Sequence, residues 1–212
     1  MFIGHFGIAN AAAAALPQVP PLIIYAGVSF PDLLWAPLVL AQRERVKMDP
    51  ADPLQSRIEF QAYPFSHSLG LTNLIALVPA GLIALATHSF LDGAVFVLAS
   101  ISHWLLDVVV HRRDLPLWGF GRDRRVGWGL WLHPGAAFAL EYAVYVVPTV
   151  LFVPADKILS LLLAGTLFHM ANSNTFFRFT RRNPFPSPAS YATLALVGFV
   201  ALSLALNGIM IA

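Results

Sequence analysis

The sequence contains no cysteine, and only 11% of its 212 residues are charged. The missing cysteine excludes disulfides, thiolate metal sites and a cysteine nucleophile. Any metal must be held by His, Asp, Glu or backbone oxygen, which suits zinc or manganese better than copper(I) or an iron–sulfur cluster. Soluble domains carry about 25% charged residues. The scarcity of charge, with 58% hydrophobic residues and a mean hydropathy of +0.69, excludes an ordinary soluble globule. No internal repeat or low-complexity tail is visible.

Long apolar runs are what the chain has. They lie at roughly 2–16, 21–41, 67–86, 89–111, 130–153, 157–177 and 189–211. Most reach the ~17–25 residues a spanning helix needs. The expected fold is an all-α integral membrane bundle of about seven helices, forming one domain over 1–212. The first run is short and lacks the Lys/Arg start of a secretory signal, so it reads as a retained helix.

Three of the connections are long and basic. They hold Arg43, Arg45, Lys47 and Arg57; Arg112, Arg113, Arg122, Arg124 and Arg125; and Arg178, Arg181 and Arg182. The other three are short, and Lys157 alone lies near the opposite face. With seven spans the basic loops share one side, which the positive-inside rule makes cytoplasmic, with the N-terminus inside. Topology thus accounts for the basic residues. No nucleic-acid partner is expected; membrane lipids are. Prolines and glycines make the loops 42–66, 112–129 and 178–188 read as irregular.

Ionisable residues interrupt the apolar runs. His103, Asp107 and His111 fall at about 0°, 40° and 80° on a helical wheel, one stripe, and Asp114 returns to about 20° if the helix reaches it. A charge at mid-membrane costs about 2.5–3.5 kcal/mol on insertion scales, so such a stripe marks a functional site by default. His103 and Asp107 lie about 6 Å apart along the axis and can chelate one ion, whereas His103 and His111 are about 12 Å apart and are not expected to share one. His5, Asp32, His67 and Glu141 fall in the same cytoplasmic half, which suggests a single inward-opening polar cavity. Pro31 and Pro37 are expected to kink or break the helix carrying Asp32. His88, His133 and His169 read as structural, Asp92 as a cap or a solvent-facing group, Arg112 and Arg113 as interfacial anchors, and Asp114 as their partner.

Gly4-His5, Phe30-Pro31-Asp32, Phe65-Ser66-His67-Ser68 and Ser102-His103-Trp104-Leu105-Leu106-Asp107 stand in an order that resembles the bacterial family of inner-membrane metal-dependent hydrolases, also labelled LexA-binding and inner-membrane-associated. The resemblance covers roughly 1–120, the motif-bearing part, with additional helices over 130–211. Downstream, Asp114-Leu115-Pro116-Leu117, Gly127-Trp128-Gly129-Leu130-Trp131 and Glu141 look like one branch of it. The chain departs from the fuller pattern at Leu33-Leu34-Trp35 and at Tyr63-Pro64-Phe65, where polar groups are missing, so one metal is expected rather than two.

The resemblance implies a metal-dependent hydrolase of the bacterial inner membrane, with zinc as the metal. His5, Asp32, His67, His103 and Asp107 are the expected ligands or their immediate surroundings. Asp32 or Glu141 is the candidate general base, and His111 the group that protonates or holds a leaving group. A lipid or amphipathic ester or phosphoester is the expected substrate, from location alone. Two other readings stand beside this one: a transporter or permease for metal ions or protons, and a non-catalytic scaffold tied by a structural metal.

Overall fold

The structure is a computed structural model describing residues 1–212. It is mostly helical: α1 (Gly4–Ala15), α2 (Pro21–Leu40), α3 (Pro64–His67), α4 (Leu69–Thr87), α5 (Phe90–Val110), α6 (Pro134–Phe152), α7 (Ala155–Ala171), α8 (Asn174–Phe177) and α9 (Pro188–Ile211). Five of these, α2, α4, α5, α6 and α9, are long and apolar enough to cross a membrane. Helix α1 has 12 residues and α7 has 17. The outward face of α4 exposes Leu74, Leu77, Val78, Leu82 and Leu85. A row of this kind suits a lipid-facing surface.

Helix α2 is the central element. It packs along α9 on one side and α5 on the other, while α1 packs against α6 and α4 against α5. Gly27 permits the close α2–α5 crossing, because a Cβ there would stand 2.7 Å from the Phe96 carbonyl. That crossing brings the Asp32 end of α2 beside the His103 end of α5. Helix α2 runs unbroken through Pro31 and Pro37, contrary to the break allowed for above. Pro31 still leaves one backbone carbonyl without its helical donor, so the ladder is weakened here.

Two of the loops expected to be irregular contain short antiparallel ladders. Strands β1 (Arg45–Lys47) and β2 (Glu59–Ala62) pair in the first, and β3 (Leu115–Pro116) and β4 (Arg125–Val126) in the second. Pairing gives partners to backbone groups that prolines and glycines keep out of helices. Both ladders lie at the end of the bundle that carries the polar cluster.

Candidate metal centre

Helix α5 supplies the cluster's floor. His103 and Asp107, one turn apart, place Nε2 and Oδ2 3.1 Å from each other, and both residues are 1% exposed. His5, from the first turn of α1, brings its Nε2 to 3.2 Å from Asp107 Oδ1 and stacks its ring on His103 with centroids 3.7 Å apart. Asp32 of α2 reaches His103 Nε2 at 3.7 Å. His67 completes the group, with Nε2 3.5 Å from Asp32 Oδ1 and 3.8 Å from Asp107 Oδ2. The structure therefore brings together all five residues singled out as ligands or their surroundings, from α1, α2, α3 and α5.

Local backbone chemistry sets each of these positions. Pro64 starts α3, and Ser68 leaves the helix in an extended conformation to cap α4, accepting from the Thr72 amide at 3.1 Å. His67 thus sits on a break between two helices and is not threaded along α4. Helix α5 ends at Val110, and His111 is extended. The amides of Trp128 and Gly129 donate to the carbonyls of Val108 and His111 at 2.8 and 2.7 Å. Gly127 makes this return possible: its φ is +146°, and a Cβ there would collide with the Arg112 carbonyl. At the end of the helix, His111 places Nε2 3.6 Å from Asp107 Oδ2, four residues back.

Hydrogen bonds outside the cluster orient the rings. His103 Nδ1 donates to the Val28 carbonyl at 2.6 Å, so its Nε2 lone pair faces the carboxylates. Ser66 Oγ donates to Glu44 Oε2 at 2.6 Å, which leaves it to accept from His67 Nδ1 at 2.7 Å. Glu44 also accepts the amides of Phe65 and Ser66, at 2.8 and 3.0 Å. His111 Nδ1 lies 3.3 Å from Asp114 Oδ1, which also accepts from Tyr63 at 3.0 Å. Asp114 is thus tied to Tyr63 and His111, not to the neighbouring arginines as expected. Metal-binding imidazoles characteristically hold their second nitrogen in this way.

Electrostatics around the extramembrane groups follow from these contacts. Burial opposes a charge on His67, but its bond to Asp32 and the nearby charges of Asp107 and Glu44 outweigh that and raise its pKa. Burial raises the Glu44 carboxyl above its ordinary value, against the pull of Ser66 and His67.

Two triads, His5–His103–Asp107 and Asp32–His67–His103, have ligand atoms all within 4.8 Å of one another. His5 Nδ1 and Nε2 and His103 Nε2 are buried without a hydrogen-bond partner. Unpaired buried nitrogens are costly, and a metal ion is the ligand their chemistry fits. His103 Nε2 has one lone pair, so it can serve only one ion.

Glu141 is fully buried, but its two oxygens hold Trp131 Nε1 at 3.0 Å and the Phe2 amide at 2.7 Å. Trp131 in turn lies over His111, with ring centroids 4.4 Å apart. Glu141 is placed as an anchor for the wall of the site, not as a free base. His169 Nε2 donates to the Phe138 carbonyl (3.1 Å) and its ring stacks between Phe138 and Tyr142, a structural setting. Asp92 is 4% exposed in the first turn of α5, so it does not face solvent; its amide donates to the capping Ser89 Oγ at 3.3 Å. A separate polar group lies away from the cluster: Tyr25 donates to Asn10, and Asn10 to Thr149, at 2.7 and 2.9 Å.

Sequence reasoning missed Glu44. Flanked by Arg43 and Arg45, it reads as one member of a solvated charge run, yet it is 1% exposed. Comparison of the chain with protein-family models, curated proteins and solved structures finds no match. The protein is defined by its own geometry: a helical chain with five apolar helices of membrane-spanning length and a buried His/Asp cluster able to hold a metal ion.

Proposed function

We propose that this chain is a membrane-embedded, metal-dependent hydrolase of ester or phosphoester bonds, acting on a lipid or amphipathic substrate at the cytoplasmic leaflet of a bacterial inner membrane. The observation that carries the reading is the inward lone pair of His103 beside Asp107, with the ring's other nitrogen committed to Val28. His5, His103 and Asp107 would supply three ligands, the number that catalytic zinc draws from its protein; Asp107 Oδ1 also pairs with the Met1 ammonium, which a metal ion at that oxygen would displace. A zinc ion held there supplies a Lewis acid and lowers the pKa of a bound water towards about 7.

The remaining residues fit the proton transfers. Asp32 has a 16% exposed side chain against 2% for Asp107, and it is paired with His67. It takes one proton from the attacking water as the new bond to phosphorus or acyl carbon forms. The ester bond to the leaving oxygen then breaks, and His111, backed by Asp114, delivers a proton to that oxygen. A conduit for ions requires an open polar path, whereas the Asn10–Tyr25–Thr149 group is buried with its hydrogen bonds made within the protein. The test is metal analysis of purified protein together with turnover of a lipid phosphoester. Stoichiometric zinc, with turnover abolished in Asp32→Asn at unchanged metal content, supports the reading. Absence of metal, or full turnover in Asp32→Asn, overturns it.

A further inference from the structure

Two buried donors beside the cluster have no acceptor. Trp35 and Gln55 are 2% and 3% exposed, and neither Trp35 Nε1 nor Gln55 Nε2 finds a hydrogen-bond partner in the protein. Neither residue belongs to the histidine–carboxylate set. Each unpaired buried N–H carries a desolvation cost of about 1–3 kcal/mol, so a pair in one place requires an explanation.

The two donors share a location. Both residues line a small cavity whose wall also includes Met1, Asp32, His67, Asp107 and His111. Tyr191 links them: its hydroxyl donates to Gln55 Oε1 at 2.9 Å, and its ring meets Trp35 edge-on with centroids 5.8 Å apart. The Tyr191 bond occupies the oxygen end of the Gln55 amide, so its unpaired end is a donor. The cavity's lining therefore combines carboxylates and imidazoles with two residues whose N–H donors are unpaired. Donors so placed suit an anionic or developing oxyanion oxygen.

The same cavity adjoins an apolar one. Phe2, Tyr191, Ala195 and Phe199 line both it and a cleft between α7 and α9, which Phe168, Leu194 and Gly198 extend. Seven of the nine residues lining that cleft are hydrophobic. Helix α9 is of membrane-spanning length, and Leu194 and Val197 on it are exposed. Beyond the donors, Arg57 and Arg112 flank the turn that carries Gln55: Arg57 is in the turn and Arg112 donates to the Ser56 carbonyl.

We propose that the cavity and cleft form one site for an anionic lipid with a phosphoryl head, in which Trp35 and Gln55 donate to a head-group oxygen and one acyl chain lies between α7 and α9. The inference rests on the hydrolase reading for what happens to the head group, but binding tests it without turnover. Trp35 and Gln55 are binding residues for the oxyanion, and Gly198 keeps the cleft open, its position bordered by Phe168.

The experiment measures binding of dodecyl phosphate, inorganic phosphate and dodecanol by calorimetry to the full chain in maltoside micelles, with and without zinc. Dodecyl phosphate is expected to bind at least about tenfold more tightly than either of the others, and Gln55→Leu and Trp35→Phe each to weaken it about tenfold, the scale of one charge-assisted hydrogen bond. Gly198→Leu is expected to reduce dodecyl phosphate to the affinity of inorganic phosphate while leaving inorganic phosphate unchanged. Gln55→Glu, nearly isosteric, replaces donors by a charge and is expected to weaken both phosphates further. Equal affinity for dodecyl phosphate and inorganic phosphate overturns the acyl cleft, because free phosphate is then the ligand. Unchanged binding in Gln55→Leu, Gln55→Glu and Trp35→Phe overturns the donor assignment. Binding with the expected pattern but no hydrolysis of any ester removes the hydrolase reading and leaves this site standing; turnover without the dodecyl advantage does the reverse.

Discussion

His103 Nε2 faces Asp107 Oδ2 at 3.1 Å across one turn of α5, while His103 Nδ1 is fixed by the Val28 carbonyl of α2. A buried imidazole whose outer nitrogen is so committed presents its lone pair inward. Replacing either partner removes a ligand and leaves the other buried without its contact. His103→Ala and Asp107→Ala are each expected to reduce bound metal to below about a tenth of wild type, since even the residues that orient ligands are worth about 10–100-fold. Metal quantification on protein purified without added zinc checks this; unchanged content in both variants removes the centre.

The Glu44–Ser66–His67 chain makes a separate prediction. His67 is held through Ser66 Oγ, which Glu44 fixes at 2.6 Å. Ser66→Ala breaks that link and leaves the Glu44 oxygen without its donor. With His67 serving Asp32, turnover is expected to fall about 10–100-fold while metal is retained. Parallel loss of metal would instead make His67 a ligand.

Glu44 also gives the stability a pH dependence of defined sign. Burial raises its carboxyl above the ordinary 4.5. Between 4.5 and the raised value the folded protein holds a proton that the unfolded chain has released. Stability from this group is therefore lost as pH rises through that window. Melting of the metal-free protein in detergent, followed upward from pH 4.5, is expected to show wild type losing ground relative to Glu44→Gln, which cannot ionise. A wild-type curve parallel to the variant's contradicts it.

Much of the cluster is visible in the sequence because helices are periodic. His103 and Asp107 must share a face once the run 90–110 is a helix, and the segregation of polar residues to one end of the apolar runs brings His5, Asp32 and His67 near them. The axial rise separates His111 from His103, and neither metal-binding triad includes His111. The chain turns out at Val110, and the Gly127–Gly129 return holds the extended residue against Asp107. Glu44 lies hidden because its neighbours are arginines, and its partner Ser66 is 22 residues away. Trp35 and Gln55 carry no signal, since an unsatisfied donor is a property of packing and not of pattern. The paired ladders in the loops depend on contacts between segments that proline-rich composition disguises.

Absence of cysteine makes the orientation directly testable. Arg124 lies in the basic connection between α5 and α6, next to β4. Arg124→Cys introduces the sole thiol, on a loop expected to be cytoplasmic by its charge. Membrane-impermeant maleimide is expected to label it in inverted vesicles and not in intact cells. Labelling in intact cells reverses the topology and places the cluster at the outer leaflet.

The two roles considered for Glu141, base or anchor, separate by substitution. As an anchor it accepts from Trp131 Nε1 and the Phe2 amide, with no exposed surface. Glu141→Ala leaves both donors buried and unpaired, a loss of about 1–3 kcal/mol for each. Trp131 then loses its hold over His111. Glu141→Gln keeps a carbonyl oxygen for one donor but turns its amide against the other, so it is expected to destabilise less than alanine. The expected result is a lowered melting temperature in the order alanine, then glutamine, then wild type, with turnover per folded molecule in Glu141→Gln within about tenfold of wild type. Turnover abolished in Glu141→Gln at near wild-type stability would make Glu141 the base and leave Asp32 to the metal.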